Sequence, residues 1–82
     1  MVNIRVQFYA QLQEVVGTRN LDCDLPEGAT VGDLLENIYH QKPALRSQDK
    51  SILVGAGVDF VDRKYALKRG EEISVMPPVQ GG

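Results

Sequence analysis

The sequence predicts an α+β fold, in which one main helix packs across a mixed β-sheet of four to five strands. Three observations indicate this fold. Apolar and polar residues alternate in the first segments, an apolar stripe repeats with helical period in the middle, and short apolar runs return near the end. A single helix laid over one face of a sheet gives a two-layer domain with one hydrophobic core.

The first two strands are predicted from period-two alternation. Residues 4–9 alternate apolar and polar side chains, as a half-buried strand does. Residues 10–16 change to helical spacing, and Gly17 follows where a left-handed residue often ends a helix. Residues 21–25 alternate again and predict a second strand, which returns antiparallel beside the first.

The main helix has signals for both of its ends. Thr30 offers an N-cap hydroxyl, and Asp33 at the third helical position completes a relative of the capping box. One apolar stripe follows with spacing i, i+3, i+4, i+7 and i+8: Val31, Leu34, Leu35, Ile38 and Tyr39. Pro43 cannot continue a helix and restricts the residue before it, so the helix is predicted to end near Gln41.

The last third of the chain predicts three further strands. Residues 44–51 are polar and read as a loop with at most one turn, residues 52–56 as a buried strand, and residues 58–61 as its short continuation or an edge hairpin. Leu67 is expected to enter the core, and residues 72–75 form a final strand that Pro77 ends. This element order matches the ubiquitin-like β-grasp, in which the last strand lies in the middle of the sheet.

Composition limits the class of protein. With 82 residues, 43% hydrophobic and 24% charged, the chain is typical of one small folded domain. A net charge of −2 gives no reason to expect a nucleic-acid partner. No apolar run approaches the roughly 20 residues that span a bilayer, so we expect no membrane partner. One cysteine excludes an intramolecular disulfide framework and is typical of a reducing compartment, so we expect a cytoplasmic location.

The side chains offer little catalytic machinery. Cys23 lies on the inward phase of its strand, where a small buried hydrophobe with an inert thiol is expected. His40 lies in the last turn of the main helix and is interpreted as a partner of the helix dipole. The basic pairs at 63–64 and 68–69 are interpreted as turn solvation, or as a field that steers an acidic partner. We expect no bound cofactor and no metal.

The final residues carry the strongest functional signal. We divide the chain into a β-grasp domain at 1–78 and a flexible Gly-Gly tail at 79–82. The diproline at 77–78 should hold this tail extended, and two glycines make it narrow enough to enter a tunnel in a partner. A frayed terminus is the alternative interpretation. By elimination, the main-chain carboxylate of Gly82 is the predicted reactive group. A partner must activate it, because no nucleotide-binding motif is present.

Four motifs resemble those of a known family. They are Val6-x-Phe8-x-Ala10-x-Leu12-x-Glu14-x-x-Gly17, Leu25-Pro26-Glu27-Gly28-Ala29-Thr30-Val31-x-Asp33-Leu34-Leu35, Leu67-x-x-Gly70-Glu71-Glu72-Ile73 and Pro77-Pro78-Val79-x-Gly81-Gly82. With them the sequence resembles the small, sulfur-carrying subunits of molybdopterin synthase, a ubiquitin-like family that also contains the thiamine-pathway sulfur carrier. The resemblance covers nearly the whole chain, and the ending is its most specific part.

The resemblance implies a role and partners. A ubiquitin-activating-like adenylyltransferase would use ATP to adenylate Gly82, which then becomes a thiocarboxylate. The large subunit of molybdopterin synthase would accept the tail and pass its sulfur to cyclic pyranopterin monophosphate, in a heterotetramer with two copies of each subunit. Pro77, Pro78 and Val79 would line the mouth of the partner's channel, with Gly81 and Gly82 deepest. The catalytic residues are expected on the large subunit.

Other roles stay open at this point. The chain could carry sulfur for thiamine or another product, be conjugated to lysines of other proteins through Gly82, or be a binding module with an inert tail. Two departures from the family pattern bear on partner specificity. Ala56 stands where the family often has Asn, and Gln11 and Gln13 stand where basic residues are common.

Overall fold

The computed structural model describes residues 1–78, and these form a five-stranded mixed sheet with its helices packed on one face. The strands are β1 (Val2–Phe8), β2 (Asn20–Leu25), β3 (Leu53–Ala56), β4 (Asp59–Val61) and β5 (Glu72–Met76). The helices are α1 (Leu12–Val16), α2 (Val31–Gln41) and a 3₁₀-helix at Pro43–Gln48.

The strand order is β2-β1-β5-β3-β4, so the last strand lies in the centre of the sheet, as predicted. β5 is parallel to β1 and antiparallel to β3, while β1–β2 and β3–β4 are antiparallel pairs. β5 is therefore hydrogen-bonded on both sides, to β1 and to β3, up to the residue before Pro77.

The core lies between the sheet and α2. Inward side chains of the two central strands are almost completely buried: Ile4, Val6 and Phe8 from β1, and Ile73 and Val75 from β5. All five residues of the predicted helical stripe are buried against them. The alternation in β1 and the helical period in α2 thus meet in one core, which confirms both patterns.

The capping box of α2 is formed as the sequence predicts. The Asp33 N–H donates to Thr30 Oγ1 at 3.3 Å, and the Thr30 N–H donates to Asp33 Oδ2 at 2.9 Å. Two N–H groups at the helix start are thereby satisfied by side chains. At the other end, the Lys42 N–H donates to Ile38 O at 2.7 Å before Pro43 stops the helix.

The segment after α2 is more ordered than expected. Instead of a loop with at most one turn, Pro43–Gln48 is a 3₁₀-helix with proline in its first turn. Leu45 is fully buried and explains the difference, because burying it requires a compact path across the core. The strand that follows begins at Leu53 rather than at residue 52. Residues 59–61 then form the edge hairpin that was one of the two predicted alternatives.

Candidate docking surface and tail root

The central strand β5 ends where a proline lacks the N–H that the next ladder hydrogen bond needs. The Tyr9 N–H donates to Val75 O at 3.1 Å, just beyond the last paired residues of β1 and β5, Phe8 and Val75. In a parallel ladder the next bond would run from the N–H of residue 77 to Tyr9 O. Pro77 has no N–H, and Tyr9 O accepts from the Leu12 N–H at 3.1 Å instead. The sheet therefore cannot extend along the chain beyond Met76 on this side.

The chain also turns sharply where β1 ends. Ala10 has a φ of +53°, and it is the one non-glycine residue with a positive φ within residues 1–78. This left-handed residue bends the backbone from β1 into α1. Gln13 closes the turn from the side, because its Nε2 donates to Phe8 O at 3.1 Å. Strand β1 thus leaves the sheet at the level where the tail begins.

An apolar hollow lies beside this point, on the sheet face opposite α2. It has a volume of about 210 Å³. Strands β3, β4 and β5, the β3–β4 turn and the residue after β1 line it: Tyr9, Gly55, Gly57, Val58, Asp59, Phe60, Ser74 and Met76. The outermost side chains are unusually exposed for their size, with 100% of Val58, 67% of Phe60 and 45% of Tyr9 accessible. Clustered exposed hydrophobic residues of this kind mark interaction sites.

Glycine at position 55 shapes the floor of this hollow. A Cβ placed there would lie 3.3 Å from Met76 Cε, 3.6 Å from Asp59 O and 3.8 Å from Ser74 Cβ. Gly55 is paired with Phe60 on β4 and with Ser74 on β5. A side chain at this position would fill the space between the two strands.

The remainder of the same face is polar. Asn3 donates from Nδ2 to Asp24 Oδ1 at 3.0 Å, and Arg5 donates from Nε to Asp22 Oδ1 at 3.2 Å. Both are cross-strand pairs of β1 and β2 in direct register, and both lie in solvent, where such pairs contribute little to stability. The outer face is thus divided into a polar half on β1–β2 and an apolar half beside the tail root.

The structure covers only part of the predicted site. Pro77 and Pro78 follow β5 directly and are half-buried. Val79, Gly81 and Gly82 lie outside the described residues, so their roles stay predictions. Reasoning from the sequence missed the hollow. Its signal in the sequence was weak: two exposed aromatic residues, Tyr9 directly after the first strand and Phe60 in the short fourth strand.

Cys23 is a core residue, as predicted. Its side chain is almost completely buried, and burial, followed by the nearby Asp22 carboxylate, raises the pKa of the thiol from 9.0 to about 11. Very little thiolate is present at neutral pH, and the thiolate is the nucleophilic form. The geometry therefore gives no support to a sulfur relay through Cys23.

His40 lies exposed in the last turn of α2, the position predicted for it.

The basic residues of the last loops are partly paired. Arg63 donates to Asp49 Oδ1 at 3.0 Å and to the Asp49 carbonyl at 2.6 Å, and Arg69 pairs with Glu27.

Within residues 1–78, no three His, Cys, Asp or Glu side chains are placed to hold a metal ion. None of the helices in that same range is long and apolar enough to cross a bilayer.

The sheet order, with α2 packed across one face, defines a ubiquitin-like β-grasp protein. Residues 6–82 match the ThiS family, and the chain belongs to that family. It is 35% identical to the molybdopterin synthase sulfur carrier subunit of Chlamydomonas reinhardtii, over 99% of this chain and 100% of that protein.

Two solved structures are similar over most of their length. The small archaeal modifier protein 1 of Haloferax volcanii superposes with a TM-score of 0.87 at 30% identity, over 96% of this chain and 100% of that one. A putative molybdopterin converting factor, subunit 1, from Pyrococcus furiosus superposes with a TM-score of 0.88 at 26% identity, over the same fractions. These similarities confirm the predicted fold and family.

Proposed function

We propose that this chain is the sulfur carrier subunit of a molybdopterin synthase, with sulfur held as a thiocarboxylate at Gly82. The observation that carries this proposal is the position of the apolar hollow directly beside the end of β5. A partner bound in the hollow would hold the rigid central strand and receive the segment that follows it. The full-length similarity to a protein named as such a subunit supports the same reading.

The chemistry is assigned to the main chain. The lining of the hollow offers no nucleophile paired with a base, so the side chains there serve to bind a partner. A carboxylate resists nucleophiles, and adenylation by an ATP-using, ubiquitin-activating-like adenylyltransferase would make Gly82 an acyl donor. Replacement of AMP by sulfur then gives a thiocarboxylate, which is a better nucleophile than a carboxylate at neutral pH.

The large subunit of molybdopterin synthase is the proposed acceptor of the tail. We expect it to cover Tyr9 and Phe60, with Pro77, Pro78 and Val79 at the mouth of its channel and Gly81 and Gly82 deepest. Its own residues would supply acid and base for sulfur transfer to cyclic pyranopterin monophosphate. We expect a heterotetramer with two copies of each subunit, located in the cytoplasm.

A protein modifier is the second candidate function. The similarity to the Haloferax volcanii small archaeal modifier protein 1 favours it, because that protein is named as a modifier and shares the fold at 30% identity. The same adenylated Gly82 would then acylate lysines of other proteins. A carrier for thiamine or another sulfur-containing product is a third use of the same tail.

The mass of Gly82 in protein isolated from its native cells tests the proposal. Sulfur in place of one oxygen adds nearly the same mass as oxidation of Met1 or Met76, so a C-terminal fragment must localise the change. We expect a shift confined to Gly82 and transfer of the sulfur to the pterin by the large subunit. An unmodified Gly82, despite active adenylyltransferase, ATP and sulfur donor, would refute a carrier role. Isopeptide adducts would favour the modifier.

Two tail variants sharpen this test. Gly81→Ala should fold normally and fail in sulfur transfer, because one methyl group obstructs a channel fitted to glycine. Gln80→Ala is the matched control, since it changes the neighbouring residue without adding width beside the reactive carboxylate. Equal transfer by both variants would contradict the narrow channel.

A further inference from the structure

Met76 is placed where a change in its sulfur would alter the docking surface. It is the last residue of β5, half-buried on the outer face, and its Cε lies across Gly55 at the floor of the hollow. Tyr9 and Phe60 line the same space. The thioether is therefore part of the apolar surface that a partner would cover.

The other oxidisable sulfurs are differently placed. Met1 is 75% exposed and precedes the start of β1, whereas Met76 ends β5. Because these two strands are parallel, the two methionines lie at opposite ends of the sheet. Cys23 is buried with its pKa raised, which protects it from oxidants that attack the thiolate. Met76 therefore lies at the hollow, and Met1 lies far from it and can serve as a control for oxidation elsewhere on the chain.

We propose that Met76 is a redox-sensitive site, at which oxidation by hydrogen peroxide weakens docking of the large subunit and stops transfer from Gly82. This inference rests on the proposed function. The sulfur lone pair takes one oxygen from the peroxide, the O–O bond breaks, and water leaves. The sulfur loses two electrons and becomes a sulfoxide, which methionine sulfoxide reductases can reverse.

The physical effect is a polar group on an apolar surface. In the free chain the sulfoxide oxygen is hydrated. A docked partner would remove this water. Of the side chains that line the hollow, only the Tyr9 and Ser74 hydroxyls could donate to the oxygen in its place, and each would have to give up its own water to do so. The cost of burying such a group is expected to weaken binding roughly ten-fold to a hundred-fold.

The fold should tolerate this oxidation. The core neighbours of Met76 in β5, Ile73 and Val75, face the opposite side of the sheet. Pairing of Met76 with Leu53 on β3 uses main-chain groups, which the sulfoxide leaves intact. The effect should therefore appear in binding and not in unfolding.

The test compares binding before and after oxidation. The carboxylate form is treated with peroxide before any sulfur loading, and the peroxide is removed with catalase so that no thiocarboxylate is exposed to it. Peptide masses give the sulfoxide content of Met76 and Met1 separately. Calorimetry with the large subunit should show the roughly ten-fold to hundred-fold loss, and treatment with methionine sulfoxide reductases should restore the affinity.

Met76→Leu is the matched control, because it keeps an apolar side chain of similar volume that peroxide cannot oxidise. Its affinity for the large subunit, measured first without oxidant, should be the same after peroxide treatment. Met76→Gln should reproduce the loss without oxidant. Equal losses in the wild-type chain and Met76→Leu would assign the effect to another group and overturn the inference.

Two further outcomes separate this inference from the proposed function. If the oxidised chain binds within about two-fold of the unoxidised one, the redox role is overturned and the carrier function stands. If the unoxidised chain neither binds the large subunit nor transfers sulfur, both are overturned. A loss of binding that coincides with thermal unfolding of the oxidised chain would also refute a surface effect.

Discussion

The Tyr39 hydroxyl donates to Asp49 Oδ1 at 2.5 Å, and this bond joins α2 to the residue after the 3₁₀-helix. Arg63 donates to the same oxygen from the loop that follows β4. Arg46 lies over the Tyr39 ring, with Cζ 5.0 Å from its centre. Asp49 therefore ties three segments together on the helical side of the sheet, away from the hollow.

This arrangement predicts an acid-dependent loss of stability. The pKa of the Asp49 carboxyl lies below its ordinary value of 3.8, mainly because Tyr39 donates a hydrogen bond to it. Partial burial acts in the opposite direction, and Arg63 lowers the pKa further. A lowered pKa in the folded state stabilises the fold above pH 3.8, and this contribution is lost as the pH falls through the folded value. Asp49→Asn should therefore lower the free energy of unfolding at neutral pH, by an amount that shrinks in acid.

Urea unfolding from neutral pH to about pH 2 measures this difference. Asp24→Asn is a suitable control, because Asp24 is an exposed carboxylate whose partner is the neutral amide of Asn3. A deficit in Asp49→Asn that stays constant at every pH would show that charge at Asp49 is not the stabilising feature.

The Cys23 thiol should react far more slowly in the folded chain than in the unfolded one. Raising its pKa from 9.0 to about 11 lowers the thiolate fraction about 100-fold near neutral pH. Burial slows access further, so labelling with a disulfide reagent at mildly alkaline pH should be at least about 100-fold slower than in urea. Comparable rates in the two states would mean that Cys23 is accessible, and would reopen a sulfur-relay role.

Filling the hollow should impair partner binding without unfolding the chain. Gly55→Leu places a side chain where the nearest atom is the flexible end of Met76, at 3.3 Å from the new Cβ, so the fold can adjust. The affinity for the large subunit should fall at least about ten-fold. Asn3→Leu adds the same side chain to the polar half of this face and should bind normally. Equal affinity in both variants would place the docking surface elsewhere.

Ala10→Gly should stabilise the fold. At a φ of +53°, an alanine costs roughly 1–2 kcal/mol that glycine avoids, while glycine has more freedom in the unfolded chain. We expect a net gain of about 0.5–1 kcal/mol in chemical denaturation. Ala66→Gly is the matched control, because Ala66 lacks a positive φ and should lose stability. A loss in both variants would contradict this account of the turn.

The parts of the fold that were predictable have local signals. Thr30, Asp33 and the apolar stripe of α2 lie within about a dozen residues, and helix capping depends on neighbours in sequence. The 3₁₀-helix was missed because its one buried residue, Leu45, has no apolar partner three or four residues away and so shows no helical period.

The hollow could not be predicted for a different reason. It depends on which residues face each other across strands, such as Gly55 with Phe60 and Leu53 with Met76. These partners are far apart in the sequence, and the register that pairs them cannot be read from a single sequence. Alternation showed which side chains point outward; it did not show which of them meet.

The missing N–H of Pro77 also limits the distance between the end of the sheet and Gly82. Because the ladder cannot lengthen past Met76, the reach of the chain from the sheet to Gly82 depends only on residues 77–82. These six residues span at most about 20 Å when fully extended. Any enzyme that covers the hollow while acting on Gly82 must keep its reaction centre within that radius of its footprint. Different enzymes that use this chain would have to share this one spacing, whatever their folds.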